Sequence, residues 1–387
     1  MATVTASASK PPRIVSIDAL RGLTIGFMIL VNNNGDGDRA YWALKHAAWN
    51  GFTPTDLVFP TFLFLVGIST VFSTQARLAQ GASRASLLLH ALKRAVILFA
   101  FGQVVNNFPY FHLATWRVYG VLPRIAICYL IISVFYLISP GWRSKVAVAV
   151  GCLLGYWILM RYVPVPGYGI PTHEIPINDP DRNLVAWLDR HIFSAPHLYE
   201  RVRDPEGFLS TLPAVGTALM GMITGIWLRT TRPLAEKTKY IAIAGAVSVA
   251  LGVLWNFSFP INKKLWTSSY VLFAGGLSLL LLALSMALVE LRRNRTESAN
   301  NKPGWLMPFL VFGSNSIFAY VLSELLASAI YNFPLRPGVS VVAGPYKAVL
   351  QAIGNPAFVS LLYSLLFVLV CWVPTYVLYR RKIFLKI

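Results

Sequence analysis

Charge is what this sequence has least of. Only 13% of its 387 residues are charged, whereas a soluble domain carries about 25%. That shortfall excludes the pair of ordinary soluble domains that the length alone would allow. Acidic residues are scarcest, 15 against 34 Lys and Arg. Cysteine is nearly missing too: Cys128, Cys152 and Cys371 each lie inside an apolar run. A disulfide framework and a thiolate metal site are therefore not expected, nor is any other metal. No small-residue cleavage site follows the first apolar run, which opens Leu20-Arg21-Gly22, so this run is read as a retained helix and not as a signal peptide. The absence of an internal repeat leaves an inverted-repeat transporter without support.

What is present is apolar length. Hydrophobic residues make up 56% of the chain and the mean hydropathy is +0.58. Apolar runs of about 18 residues or more read as membrane spans. They predict helices over 15–34, 56–76, 94–108, 119–139, 146–163, 211–229, 240–258, 268–290, 306–330 and 357–379. The expected fold is an all-α integral membrane protein, a bundle of about ten transmembrane helices (about ten to eleven) forming one domain over 1–387. A net charge of +19 would suggest nucleic acid in a soluble protein, but here the cations fall in short alternate connectors. Arg77, Arg84, Lys93 and Arg94 lie in one; Arg143 and Lys145, then Arg229, Arg232, Lys237 and Lys239, then Arg292, Arg293 and Arg295 fill the next three, and the tail begins at Arg380. This is the positive-inside pattern. It predicts cytoplasmic termini, with 1–14 a flexible cytoplasmic segment and 35–55 and 164–210 extracytoplasmic loops. A short re-entrant or interfacial helix is expected within 336–356. The surplus charge is left to topology, anionic headgroups and an anionic cosubstrate, without nucleic acid.

Ionisable side chains inside spans cost about 2.5–3.5 kcal/mol on insertion scales, so each asks for a partner or a task. Asp18 and Arg21 share one face of the first helix and can pair there or bind substrate. Arg124, in Gly120-Val121-Leu122-Pro123-Arg124, has no acidic neighbour in sequence and needs an anion or a distant Asp. Glu324 follows Asn315 and Ser316 in an apolar helix and suits either a helix-to-helix hydrogen bond or a cavity. The densest polar stretch runs Asn32-Asn33-Asn34-Gly35-Asp36-Gly37-Asp38, then Lys45-His46-Ala47-Ala48-Trp49-Asn50-Gly51, then Asp56. It lacks the ligand series of a calcium loop. His46 carries the side chain best suited to move a proton near neutral pH.

At these residues the sequence resembles the heparan-α-glucosaminide N-acetyltransferase family and its bacterial inner-membrane relatives. Further carriers are Ser16-Ile17-Asp18-Ala19-Leu20-Arg21-Gly22, Asp56-Leu57-Val58-Phe59-Pro60, Asp204-Pro205-Glu206-Gly207, Asn262-Lys263-Lys264-Leu265-Trp266 and Gly313-Ser314-Asn315-Ser316-Ile317. The resemblance implies an acetyl-CoA-dependent acyltransferase of the bacterial inner membrane. It would move acetyl from cytosolic acetyl-CoA to the amine of a glucosamine-type sugar on the periplasmic side, as a homodimer. It also implies that His46 is the active-site histidine and that the catalytic asparagine matches Asn32, with Asn33 and Asn34 as alternatives. His46 would act as a base while Asn32 donates to the oxyanion, or would carry acetyl transiently. Asp18, Arg21, Trp49, Asn50, Asp56, Arg124, Trp266, Asn315 and Glu324 are the wider candidates. Among them Arg21 and Arg124 are considered for the phosphates of coenzyme A, and Trp49 and Trp266 for sugar stacking or interfacial anchoring. The competing expectations are an amino-sugar transporter and a structural or assembly protein.

Overall fold

The computed structural model describes residues 14–292, 304–333 and 343–385. The expected segment 1–14 lies, but for Ile14, outside the described residues, as do Arg293, Arg295 and the first part of the 336–356 expectation. The helices are α1 Val15–Asn32, α2 Val58–Ala79, α3 Arg84–Asn107, α4 Val121–Ile138, α5 Trp142–Tyr162, α6 Leu184–Ile192, α7 Thr211–Leu228, α8 Leu234–Asn256, α9 Ser268–Met286, α10 Met307–Ser314, α11 Ser316–Asn332, α12 Ala343–Ile353 and α13 Pro356–Arg380. A π-turn, Ala287–Leu291, extends α9. Among the described residues nine helices are long and apolar enough to cross a membrane. The pair 304–314 and 316–332, bent by 75°, makes a tenth if it is one broken span. The all-helical multi-pass membrane fold expected from hydropathy is thus present, and the ninth expected run, 306–330, is a broken helix.

Helix starts carry recognisable signals. Ser83 accepts from Ser86 N and Asn355 from Phe358 N, each capping its helix in the way that satisfies an orphan amide. Thr53 and Asp56 form a capping box around Pro54 at the entry to α2. Three spans begin earlier than hydropathy predicts: α3 at Arg84, α5 at Trp142 and α8 at Leu234. Their N-terminal parts carry Arg84, Lys93 and Arg94, then Arg143 and Lys145, then Lys237 and Lys239, which depress the apolar signal without breaking helical geometry. Long cationic stems lie along apolar surface with the head at the boundary.

Bundles in lipid cannot use the hydrophobic effect between helices, so close backbone contact replaces it. A Cβ on Gly67 of α2 would stand 2.1 Å from Ala218 O of α7, and one on Gly221 of α7 would stand 1.9 Å from Phe64 O. The two helices therefore meet through both glycines. Three buried hydroxyls of the bundle are satisfied within their own helix: Thr61, Thr70 and Thr224 each donate to the carbonyl four residues back.

The bundle has two unlike ends. One gathers both ends of the described chain: Val15, Asp18, Tyr379, Arg380 and Lys382 line a single cavity, and Asn315 binds Ile383 O and Leu385 N. The other end carries the connectors after α1, α3, α5 and α8. These include residues 35–55 and 164–210, the latter holding the short helix α6.

Candidate active site

The site is built at the second end, where four separate connectors lock together. Residues 42–57 fold into two short 3₁₀ turns, Trp42–Leu44 and Pro54–Leu57. Thr53 Oγ1 donates to Lys45 O at 2.6 Å and Thr55 Oγ1 to Ala43 O at 3.0 Å. This draws His46 back over the start of α2. There Nδ1 of His46 lies 2.6 Å from Asp56 Oδ1. The second carboxylate oxygen accepts from Ala47 N, Thr53 N and Thr53 Oγ1 at 3.0–3.1 Å. Asp56 is 1% exposed, so its charge is held by fixed donors instead of water. As a carboxylate it only accepts, which makes His46 Nδ1 the protonated nitrogen and leaves Nε2 with a free lone pair. The imidazole side chain is 41% exposed.

The imidazole is biased toward its neutral form. Burial depresses its pKa below the ordinary imidazole value, Lys263 pushes it further down, and Asp56 and then Glu206 oppose them. An oriented, neutral His over a buried Asp is the arrangement of a general base or of a nucleophile.

Around the dyad, residues from distant sequence converge. Trp49 Nε1 donates to Asn178 O at 2.7 Å, and Asn50 Oδ1 accepts from both Asn178 and Asn262 at 3.1 Å. Arg203 lies over the Trp49 ring at 4.3 Å. Trp49 and Asn50 are thus fasteners between the 35–55, 164–210 and 257–267 connectors. Trp266 is wholly buried, wedged edge-on between Phe59 and Tyr270 and donating to Thr217 Oγ1 at 3.1 Å. Neither ring face is open to a sugar or to an interface. It also holds a left-handed backbone, φ +52°, a strain of about 1–3 kcal/mol that packing must enforce. Tyr270 in turn donates to Asp56 O at 2.6 Å.

Arg124 corrects one expectation. It is 1% exposed, in the first turn of α4 at the dyad's end, donating to Gly207 O at 3.1 Å and to Ser210 Oγ beneath Trp266. It cannot meet coenzyme A phosphates at the basic end, because α4 carries it to the opposite one. Sequence reading also missed Arg117, which grips Asp204 with Nε and Nη2 at 2.8 Å and Glu206 with Nη2 at 2.8 Å. Asp204 and Glu206 stand in a quoted motif without a role, as does Lys263; nothing in sequence marks Arg117. Asp189 of α6 accepts from Asp204 N and Phe208 N at 3.0 and 3.3 Å, fixing this turn. Burial pushes its carboxyl up to about 7.

The three asparagines separate. Asn33 Nδ2 is spent on Ile29 O at 2.8 Å and Asn34 Nδ2 on Val31 O and Leu44 O. Asn32 is exposed and donates to Glu324 Oε1 at 3.1 Å.

Asp18, Arg21 and Asn315 belong to the other end. Arg21 pairs with Asp18 at 3.2 Å and also holds Gly313 O and Ser69 Oγ. It still lines an internal cavity of about 230 Å³ with Phe62, Ser73, Arg94, Leu122 and Tyr129. Ser73 and Tyr129 are shared with a second hollow bordered by Arg77 and His90. Along α2 the first cavity runs from Ser73 to Phe62, about 16 Å, and stops about 9 Å of helix rise short of Asp56.

The family model described as heparan-alpha-glucosaminide N-acetyltransferase, catalytic, matches residues 13–252. The human heparan-alpha-glucosaminide N-acetyltransferase is 30% identical over 431 aligned positions, covering 97% of this chain and 60% of that protein. The mouse heparan-alpha-glucosaminide N-acetyltransferase is 28% identical, covering 98% and 61%. The chain spans about three fifths of the length of these relatives. The match runs from Arg13 through the His46 and Asp56 connector and the Asp204–Glu206 turn to Gly252, more than half of the chain, and so the protein belongs to the heparan-alpha-glucosaminide N-acetyltransferase family.

Proposed function

We propose that this protein transfers an acetyl group from acetyl-CoA, entering at the basic end, to the amine of a glucosamine-type sugar at the other. The observation that carries this reading is the His46–Asp56 dyad, an imidazole biased toward its neutral form and backed by a buried carboxylate, above a cavity lined by Arg94 that shares Ser73 and Tyr129 with a small hollow at Arg77 and His90. The cavity of about 230 Å³ is below the roughly 300–1,000 Å³ of whole-ligand pockets. It suits the slender pantetheine arm, with the nucleotide phosphates left to the cations at the mouth. Arg94 and Arg77 suit them by charge and fork geometry.

In the reaction the amine nitrogen forms a bond to the acetyl carbonyl carbon and the carbon–sulfur bond breaks. Nε2 of His46 takes the proton that the amine sheds, and the thiolate leaves as coenzyme A. Asp56 holds the ring and steadies the imidazolium. Asn32 supplies an N–H to the carbonyl oxygen as negative charge develops there. Nε2, with its free lone pair, also allows an acetyl-imidazole intermediate.

The finer setting belongs to the same proposal: a single domain, a homodimer in a bacterial inner membrane, basic loops and termini in the cytoplasm. A transporter reading draws no support from the family match, and it assigns no work to a dyad held this firmly. The test is purified protein in liposomes, with labelled acetyl-CoA on the basic side and glucosamine on the other. Labelled N-acetylglucosamine from wild type and none from His46→Ala is the expected result. Sugar entry without acetyl-CoA and without product would overturn the reading.

A further inference from the structure

Glu324 is a carboxyl group deep in α11 among apolar neighbours, and the acetyl-transfer scheme gives it no step. Its partner is the side-chain amide of Asn32, the last residue of α1: Nδ2 donates to Glu324 Oε1 at 3.1 Å. An asparagine amide has two faces of opposite character, two N–H donors on one side and an acceptor oxygen on the other, and it turns over readily when unrestrained. A carboxylate only accepts. Set against Asn32, it selects the orientation with nitrogen inward, uses one N–H and leaves the second N–H to point elsewhere. The neighbouring amides are oriented otherwise: Asn33, buried, donates to Ile29 O, and Asn34 spends Nδ2 on Val31 O and Leu44 O. Asn34 joins the end of α1 to Leu44 O at 3.0 Å, two residues before His46, so α1 ends beside the dyad's own connector. Tyr320, one turn before Glu324 on α11, lies within electrostatic reach of both Glu324 and Glu206, and Glu206 within reach of His46.

We propose that Glu324 is a positioning residue: it fixes the flip of the Asn32 amide so that its free N–H is presented to the acetyl carbonyl oxygen. This rests on the acetyl-transfer reading above. Glu324 touches no reacting atom, and its whole effect passes through Asn32. The alternative is a structural tie between α1 and α11, which would act on folding whatever stands at position 32.

The experiment is a double-mutant cycle in reconstituted protein, reading kcat and KM for acetyl-CoA and glucosamine, with thermal unfolding in detergent alongside. Glu324→Gln keeps shape and volume but lets either face of its own amide meet Asn32, so the flip is no longer imposed. The expected result is a loss of about tenfold in kcat with KM little changed, of the size coupled neighbours show. Asn32→Ala should lose about 10²–10³ in kcat, as for one oxyanion donor, which leaves activity to measure. In that background Glu324→Gln should have no further effect. Equal losses in both backgrounds, or a loss in KM alone, would overturn the positioning role. So would a fall in melting temperature that accounts for the lost activity, with Glu324→Ala as the harsher control. If wild type forms no product while it folds and binds acetyl-CoA, the acetyl-transfer reading itself falls and takes this proposal with it; wild-type product with additive losses sinks the positioning role alone.

Discussion

The two ends of the bundle differ in how their polar groups are held. At the dyad's end the polar side chains are held by several fixed groups: Asp56 by four atoms of His46, Ala47 and Thr53, Asp204 by Arg117 and Tyr199 N, Asn50 by two asparagine amides from distant connectors. At the basic end the cations border cavities, with Arg77 and Arg94 set among Ser, Thr and Tyr side chains. Preorganised dipoles act on a transition state without reorganisation, whereas an entry for a large anionic cosubstrate needs field and room more than rigid geometry. On the acetyl-transfer proposal, the difference divides chemistry and admission between the ends. Breaking the first should then cost rate, and breaking the second should cost affinity.

The sharpest break of that contrast is Asp56→Asn. The amide cannot accept all of the donors that the carboxylate does, and it no longer selects the Nδ1–H tautomer of His46. Turnover should fall by about 10²–10⁴-fold, the range of a lost acid–base contribution, with the KM for acetyl-CoA unchanged. A comparable rise in KM would show that the two ends are not separate. Next in size is Trp266→Ala. Removing a fully buried ring from between Phe59 and Tyr270 should cost about 3–5 kcal/mol of stability, seen as a lower melting temperature in detergent; an unchanged melting point would mean that the ring is not what holds Asp56's carbonyl partner Tyr270 in place. At the other end, Arg94→Gln and Arg77→Gln should each raise the KM for acetyl-CoA about tenfold, roughly one charged hydrogen bond, and leave kcat within about twofold. A fall in kcat alone from either variant would place that arginine with the chemistry.

The same contrast marks what could be read from sequence. Spans were legible because apolar length is a local signal, and so was the spot where hydropathy understates helices: the early starts at Arg84, Trp142 and Leu234 all lie in cation-bearing turns. The bend between α10 and α11 was not legible, since no proline stands at Ser314–Ser316 and the break is set by Asn315 binding the tail at Ile383 and Leu385. Within the site, His46 stood out as the His of a polar loop, and Asp56 lay ten residues on in a motif. Arg117 and Asp204 are 87 residues apart, and no periodicity links them. Arg124 reads from sequence as needing an anion or a distant Asp, and the structure gives it neutral acceptors far along the chain, Gly207 O and Ser210 Oγ, because a residue's depth in a helix can be read from sequence more easily than which residues will cover it. Trp49, Asn50 and Trp266 show the converse: aromatic and amide residues in a conspicuous motif turned out to fasten loops.

The smallest expected effect tests the dyad's electrostatics with opposite signs. Only neutral imidazole accepts a proton, so activity should be flat in pH above the pKa of His46 and should fall as pH drops through it. Burial sets that pKa below 6.5, and the charge on Lys263 lowers it further while Glu206 raises it. Lys263→Met removes a cation that disfavours imidazolium, so the acidic limb should move to higher pH. Glu206→Gln removes an anion that favours imidazolium, so the limb should move to lower pH. Both variants leave His46 and Asp56 in place, and burial, the larger cause, is untouched, so both shifts should be modest. The measurement is kcat/KM for acetyl transfer against pH, which reports the free enzyme's base. Limbs moving in the same direction for both variants would mean that the titrating group is not His46. A limb that ignores both would mean that the dyad is shielded from its neighbours, and that burial and Asp56 alone set its basicity.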